Sequence, residues 1–307
     1  MNDFMMFSLV PMTVAILISL TCALLGNFLV LRRQSLISDA ISHVALPGIV
    51  ASFLLTGTIA SAAMMLGAGV SALVTVVMIE AIRRLGRVEI SAAMGVTFTS
   101  LFALGVLLLE VSQASGVHID VQHALYGNLE SLIWFEGVGL ASLIDPTALV
   151  TLPPQLARVA MVALLVLVFV LVFRRHLILG SFDSEFAASI RARPALIDLL
   201  LVTMVAVAAI AAFEAVGSII VIAMFICPAA AARLVTNHLG AQIAWSQLFA
   251  LVSAVSGYWL AGSGLIWLGL DMSLSAAGMI ATVAGLILLL ACLWGPQRRG
   301  HAVLSNA

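Results

Sequence analysis

An all-α bundle of membrane-spanning helices is the fold class this sequence predicts, and three observations carry that prediction. Hydrophobic residues make up 63% of the 307, charged residues only 9%, and mean hydropathy is +1.22, too apolar for a chain with a water-facing surface. Uncharged runs of about the length that crosses a hydrocarbon core recur throughout, with no long polar segment between them. The basic residues gather in the gaps after alternate runs. One integral-membrane domain, 1–307, is expected.

Taken in order, the runs are 9–31, 34–57, 60–79, 90–109, 159–173, 196–213, 215–232, 241–262 and 273–294, which makes nine spans. The opening "MNDFMMFSLV" lacks the positive n-region of a cleaved signal peptide, so the first run reads as a retained span. Arg32 and Arg33 follow span one, Arg83, Arg84 and Arg87 span three, and Arg174, Arg175, Arg191 and Arg193 span five. Arg233 follows span seven, and Arg298 and Arg299 span nine. The positive-inside rule then places the N-terminus outside and the C-terminus in the cytoplasm. Arg158 alone stands at the other end of span five, where a long side chain snorkels to the interface. The count turns on 196–232, where "FEAVG" separates two short runs; a broken or re-entrant pair there gives eight spans. The loop at 111–157 has acids at Asp120, Glu130, Glu136 and Asp145 and belongs outside, with "LIWFEGVGLASLI" expected along the interface.

Composition also excludes chemistry. All 13 basic residues are arginine, and a P-loop needs a lysine against the phosphates, so the chain is not itself a P-loop ATPase. Cys22, Cys227 and Cys292 have no CxxC spacing and imply neither a disulfide framework nor a zinc knuckle. No HExxH is present, which disfavours an intramembrane metalloprotease. Nucleic acid is not an expected partner, and the formal net charge of -1 says little, because the distribution of charge matters more than its sum.

The second span carries two groups that a bilayer rejects. In "SLISDAISHVALPG", 35–48, Asp39 lies about 7 Å and His43 about 13 Å in from the basic end if the span is helical. The i, i+4 spacing puts both on one face, Cβ atoms about 5 to 6 Å apart. They can share a ligand. An aspartate inside a span costs about 2.5 to 3.5 kcal/mol on insertion scales, so this face should meet protein or water. A carboxylate with an imidazole is a half-site for a borderline divalent cation, and two half-sites at a dimer axis supply four ligands. Pro47 and Gly48 follow, predicting a kink and close backbone approach, and Pro228 predicts a second kink in span seven. Two other readings stand beside this one. Asp39 can pair with Arg32 or Arg33 while His43 is a core histidine, or the two can relay protons in a secondary transporter.

"LGNFLVLRRQSLISDAISHVALPGIVASFLLTG" resembles the permeases of the ATP-binding cassette importers for zinc, manganese and iron. So do "AMGVTFTSLFALGVLLL" at 93–109, "HALYGNLESLIW" at 123–134, "FDSEFAASI" at 182–190, "VGSIIVIAMFICPAAAARLV" at 216–235 and "DMSLSAAGMIATVAG" at 271–285. The resemblance implies a permease of a bacterial cytoplasmic membrane, working as a dimer with itself or a similar permease. It also implies a cytoplasmic ATPase, an extracytoplasmic metal-binding protein, and a metal that passes as substrate, with no permanently bound cofactor. Asp39 and His43 match the family's metal-coordinating pair. The ATPase contact is implied at 180–194, "GSFDSEFAASIRARP", with a helix breaker at its start and Phe182, Asp183, Glu185 and Phe186 as contact residues. His118, Asp120, His123 and Glu214 are candidates for an outer entry. Two departures are visible: "RVEISAAMG" has Glu89 alone where the family often has two acids, and Cys227 stands where threonine or an aliphatic residue is common.

Overall fold

The computed structural model describes residues 2–57, 61–114, 129–135, 142, 150–182, 194–264 and 274–296. Among them the regular structure is helical throughout. After a short turn of helix at Asn2–Phe7, the long helices are α1 (Leu9–Leu31), α2 (Leu36–Thr56), α3 (Ser61–Gly86), α4 (Ile90–Ala114) and α5 (Pro154–Phe182). They continue with α6 (Pro194–Val216), α7 (Ser218–Val235), α8 (Leu239–Trp259) and α9 (Ala276–Trp294). A π turn, Leu260–Gly264, extends α8.

Each predicted run becomes a helix. Eight of these helices, among the described residues, are long and apolar enough to cross a membrane. The difference from nine falls on α7, whose apolar stretch Ile220–Val235 is shorter. Gly217 ends α6 with φ 81°, a left-handed conformation that glycine adopts without strain, and α7 begins at the next residue. Helices also overrun the predicted runs at their arginine ends. Span five, expected over 159–173, extends to Phe182 through Arg174 and Arg175. Charge marks where the hydrocarbon ends, whereas arginine is a good helix former and lets the helix continue into the headgroups. Gly180, expected as a breaker, therefore lies within the last turns of α5.

The core gathers around α1 and α7. These two helices cross so closely that a Cβ on Gly26 would stand 2.0 Å from the Phe225 carbonyl oxygen. α8 and α9 cross where a Cβ on Gly257 would stand 2.5 Å from Ile280 Cα. Without a hydrophobic force between spans, such small-residue crossings are what let helices gain dispersion contact. Part of the loop expected at the interface is instead packed into the protein. Trp134 is 1% exposed, its backbone N–H donating to the Met6 carbonyl at 3.0 Å and its Nε1–H to Thr151 Oγ1 at 3.2 Å. Leu129 and Leu132 are buried with it, and among the described residues 129–135 Phe135 turns outward. Leu164 and Leu171 are exposed on α5, as expected of a helix facing acyl chains.

Candidate metal-ion site on the second helix

Asp39 lies in the first turn of α2, where the positive end of the helix dipole favours a carboxylate. His43 follows one turn later, its Nε2 3.3 Å from Asp39 Oδ1. Two donors on one cation, each about 2.1 Å from it, stand about 3.0 Å apart at a right angle and about 3.4 Å apart at the tetrahedral angle. The pair is thus spaced for chelation with little movement. The inward stripe of α2, Ile37, Ile41, Val44 and Ala45, is fully buried, while the side chains of Asp39 and His43 remain 37% and 32% exposed. The polar stripe faces out of the single chain.

Two aromatic residues of α4 fix the imidazole. The His43 ring centroid is 5.3 Å from that of Phe98 and 5.9 Å from that of Phe102, the latter edge-on. Phe98 and Phe102 are themselves one turn apart, at the same i, i+4 period as the pair they flank.

One turn further, α2 is locked to both neighbours. A Cβ on Gly48 would stand 2.3 Å from the Gly67 carbonyl oxygen, and one on Gly67 the same distance from that of Gly48. Ser71 Oγ donates to the Val44 carbonyl at 2.7 Å and Ser52 Oγ to the Ala63 carbonyl at 2.6 Å, so hydrogen bonds bracket the glycine crossing on either side. Pro47 packs on α4 at Gly105, where a Cβ would come within 2.8 Å of the proline Cδ. Pro47 also has no N–H to give the His43 carbonyl. α2 runs on through Pro47 as a helix, and α7 does the same through the buried Pro228. Beyond Pro47 an apolar groove of about 450 Å³ opens between α2, α3 and α4, lined by Leu55, Leu66, Val70 and Leu104 among others.

The alternative in which Asp39 pairs with Arg32 does not describe this geometry. Arg32 points away to Asp198 on α6, with Ser181 Oγ and the Leu177 carbonyl as further acceptors at 3.0 and 3.3 Å. Among the described residues no third carboxylate, imidazole or thiol joins Asp39 and His43 to complete a metal set. Cys227, on α7, is half-buried. Of the remaining candidates, Phe182 ends α5 and is 58% exposed. Glu214 belongs to the last turn of α6, with its side chain outside the described residues. His118, Asp120, His123, Asp183, Glu185 and Phe186 lie outside the described residues altogether.

Three partners of the site were not singled out by sequence reasoning: the Phe98 and Phe102 braces, the Gly67 and Gly105 berths, and the Arg32–Asp198 pair. The small-residue spacing Ala63, Gly67, Ser71 opposite Gly48 and Ser52 was the available signal for the crossing.

The chain is thus a polytopic helical bundle with an aspartate–histidine pair on a half-open helix face. The chain belongs to the ABC 3 transport family, whose model matches residues 2–295. It is 36% identical over 281 residues to the manganese transport system membrane protein MntD of Bacillus subtilis, covering 92% of this chain and 90% of that one. It is 34% identical over 285 residues to the zinc transport system membrane protein TroD of Treponema pallidum, covering 92% of this chain and 73% of that one. Among solved structures, PsaBC from Streptococcus pneumoniae in complex with Fab superposes with a TM-score of 0.71 at 27% identity, covering 94% of this chain and 92% of that one.

Proposed function

We propose that this chain is the permease of an ATP-driven importer that moves a divalent transition metal, manganese or zinc with iron as a third candidate, into a bacterial cytoplasm. The observation that carries the proposal is the Asp39–His43 pair, 3.3 Å apart and about one-third exposed on a membrane-spanning helix. A lipid-facing carboxylate at this depth is costly, and the pair supplies only two donors. A second permease chain presenting an equivalent pair removes both difficulties, since two half-sites complete a four-donor site and bury each other. The apolar groove that begins at Pro47, one turn beyond His43, would extend that contact. Four nitrogen and oxygen donors suit manganese and zinc better than a thiolate cage would, because cargo must leave as well as bind. Relatives named for manganese and for zinc transport support the same substrate class.

In this reading the ion is handed over by an extracytoplasmic binding protein near His118, Asp120, His123 and Glu214, and released inward by alternating access. The arginine-rich helix ends face the cytoplasm. ATP is hydrolysed on a separate chain that docks at 180–194, where Phe182, Asp183, Glu185 and Phe186 make the contact. The permease is a single integral domain and makes or breaks no covalent bond.

Metal-specific uptake by the chain assembled with its ATPase tests the proposal. Uptake that requires ATP, and that falls by at least about tenfold in Asp39→Ala and in His43→Ala at equal membrane levels, is the expected result, since even outer-sphere changes cost metal sites about 10- to 100-fold. Uptake that persists without an ATPase and follows a proton gradient would make the pair a proton relay instead.

A further inference from the structure

Arg32, at the end of α1, leaves the membrane-end row of arginines and turns inward. Its side chain is 4% exposed. One guanidinium reaches three places: Nε donates to Ser181 Oγ at 3.0 Å, Nη2 to the Leu177 carbonyl at 3.3 Å, and Nη1 pairs with the Asp198 carboxylate. Leu177 and Ser181 are in the last turns of α5, and Asp198 is in the second turn of α6. Gly180 makes room for the fork, because a Cβ there would lie 3.1 Å from Arg32 Nη2. The two helix ends held by Arg32 are the two ends of the 183–193 stretch.

The other side of the arginine leads directly to the metal pair. Arg32 N–H donates to the Phe28 carbonyl, Arg33 N–H to that of Val30 and Gln34 N–H to that of Leu29, at 3.1, 3.2 and 2.9 Å. Ile37 N–H then donates to the Gln34 carbonyl at 3.1 Å as α2 starts. Arg33 adopts φ 57°, which only a tightly held turn keeps in a non-glycine residue. α1 and α2 are therefore joined without slack, and Asp39 follows in the first turn of α2. α3 enters the same junction: Glu80, held by Arg83 at 2.8 Å, lines one small cavity with Gln34 and Asp198.

We propose that Arg32 is a positioning residue that carries displacement of the 180–194 segment to the Asp39–His43 pair. The inference rests on the proposed function, since it needs an ATPase acting on that segment. A rigid fork bonded to both flanks of a segment transmits its movement, whereas an apolar contact of the same volume lets the helices slide. Replacing an ion pair inside a protein with well-packed apolar side chains of similar volume is often neutral or stabilising, so the pair need not be there for stability. That separates the coupling role from a structural one.

The test uses the chain in complex with its ATPase, reading ATP hydrolysis, metal binding and metal uptake side by side in wild type, in Arg32→Met combined with Asp198→Leu, and in Arg32→Lys. The expected double variant assembles, binds metal and hydrolyses ATP as wild type does, but moves about two- to thirtyfold less metal per ATP, the range of ordinary coupling losses. Arg32→Lys keeps the charge opposite Asp198 and loses the fork, so it falls between the two. Unchanged uptake per ATP in the double variant overturns the inference. If that variant does not assemble, Arg32→Lys decides alone, a lowered ratio supporting the clamp and an unchanged one removing it. Wild-type uptake independent of ATP would instead refute the importer reading, which is a different failure.

Discussion

At the scale of single residues, the proposed metal binding depends on how the His43 imidazole is held. Phe98 and Phe102 flank His43, one tilted and one edge-on, and aromatic contacts of this kind are worth about 0.5 to 1.5 kcal/mol. Phe98→Ala should leave membrane levels unchanged and raise the metal concentration for half-maximal uptake about two- to tenfold, the equivalent of that energy. An unchanged value would make the rings mere packing. The Asp39–His43 pair was legible in the sequence because two ionisable groups at helical spacing inside an apolar run are too costly to keep on a lipid-facing surface. Its braces were not. Phe98 and Phe102 look like any apolar residues of a span, and only the packing of α4 on α2 gives them a task. Arg32 reads in the sequence as a positive-inside charge and as a possible partner of Asp39, since its actual partner Asp198 is 166 residues away and no local pattern links them.

At the scale of helices, the stability of the site depends on how closely α2 and α3 approach. Gly48 and Gly67 meet backbone to backbone, and a carbonyl cannot yield as a side-chain tip can. Gly67→Ala should destabilise the detergent-solubilised chain by about 1 to 3 kcal/mol, the usual cost of overpacking. Gly285→Ala, where a Cβ would meet nothing within 4 Å, should be neutral or stabilise by up to about 1 kcal/mol through helix propensity. Thermal unfolding of both variants checks the contrast, and equal midpoints would contradict the crossing. Helix positions were readable from uncharged runs, but helix ends were not. α5 continues through Arg174 and Arg175 because the end of the hydrocarbon and the end of a helix are set by different forces: desolvation of charge sets the first, backbone hydrogen bonding and capping the second. The same distinction explains Gly180, which as a sequence feature read as a breaker and in the structure is the berth of a guanidinium.

At the scale of the whole molecule, the arrangement of arginines predicts an orientation and the half-open pair predicts a second chain. With Cys292 replaced, a cysteine in place of exposed Arg84 should react with a membrane-impermeant thiol reagent only from the cytoplasmic side, and one in place of exposed Phe135 only from outside. The opposite pattern would invert the topology and the direction of transport with it. The number of crossings was legible to within α7, whose short apolar stretch sits among α1, α8 and α9. The face proposed to meet another chain was legible through the carboxylate and imidazole on α2 and not through hydrophobicity, because lipid-facing and partner-facing surfaces are both apolar. Metal stoichiometry of the purified permease dimer at saturating manganese or zinc is the most direct test. One ion for each pair of chains, lost in both Asp39→Ala and His43→Ala, is what a shared four-donor site predicts; an ion on every chain, or undiminished binding in either variant, would contradict it.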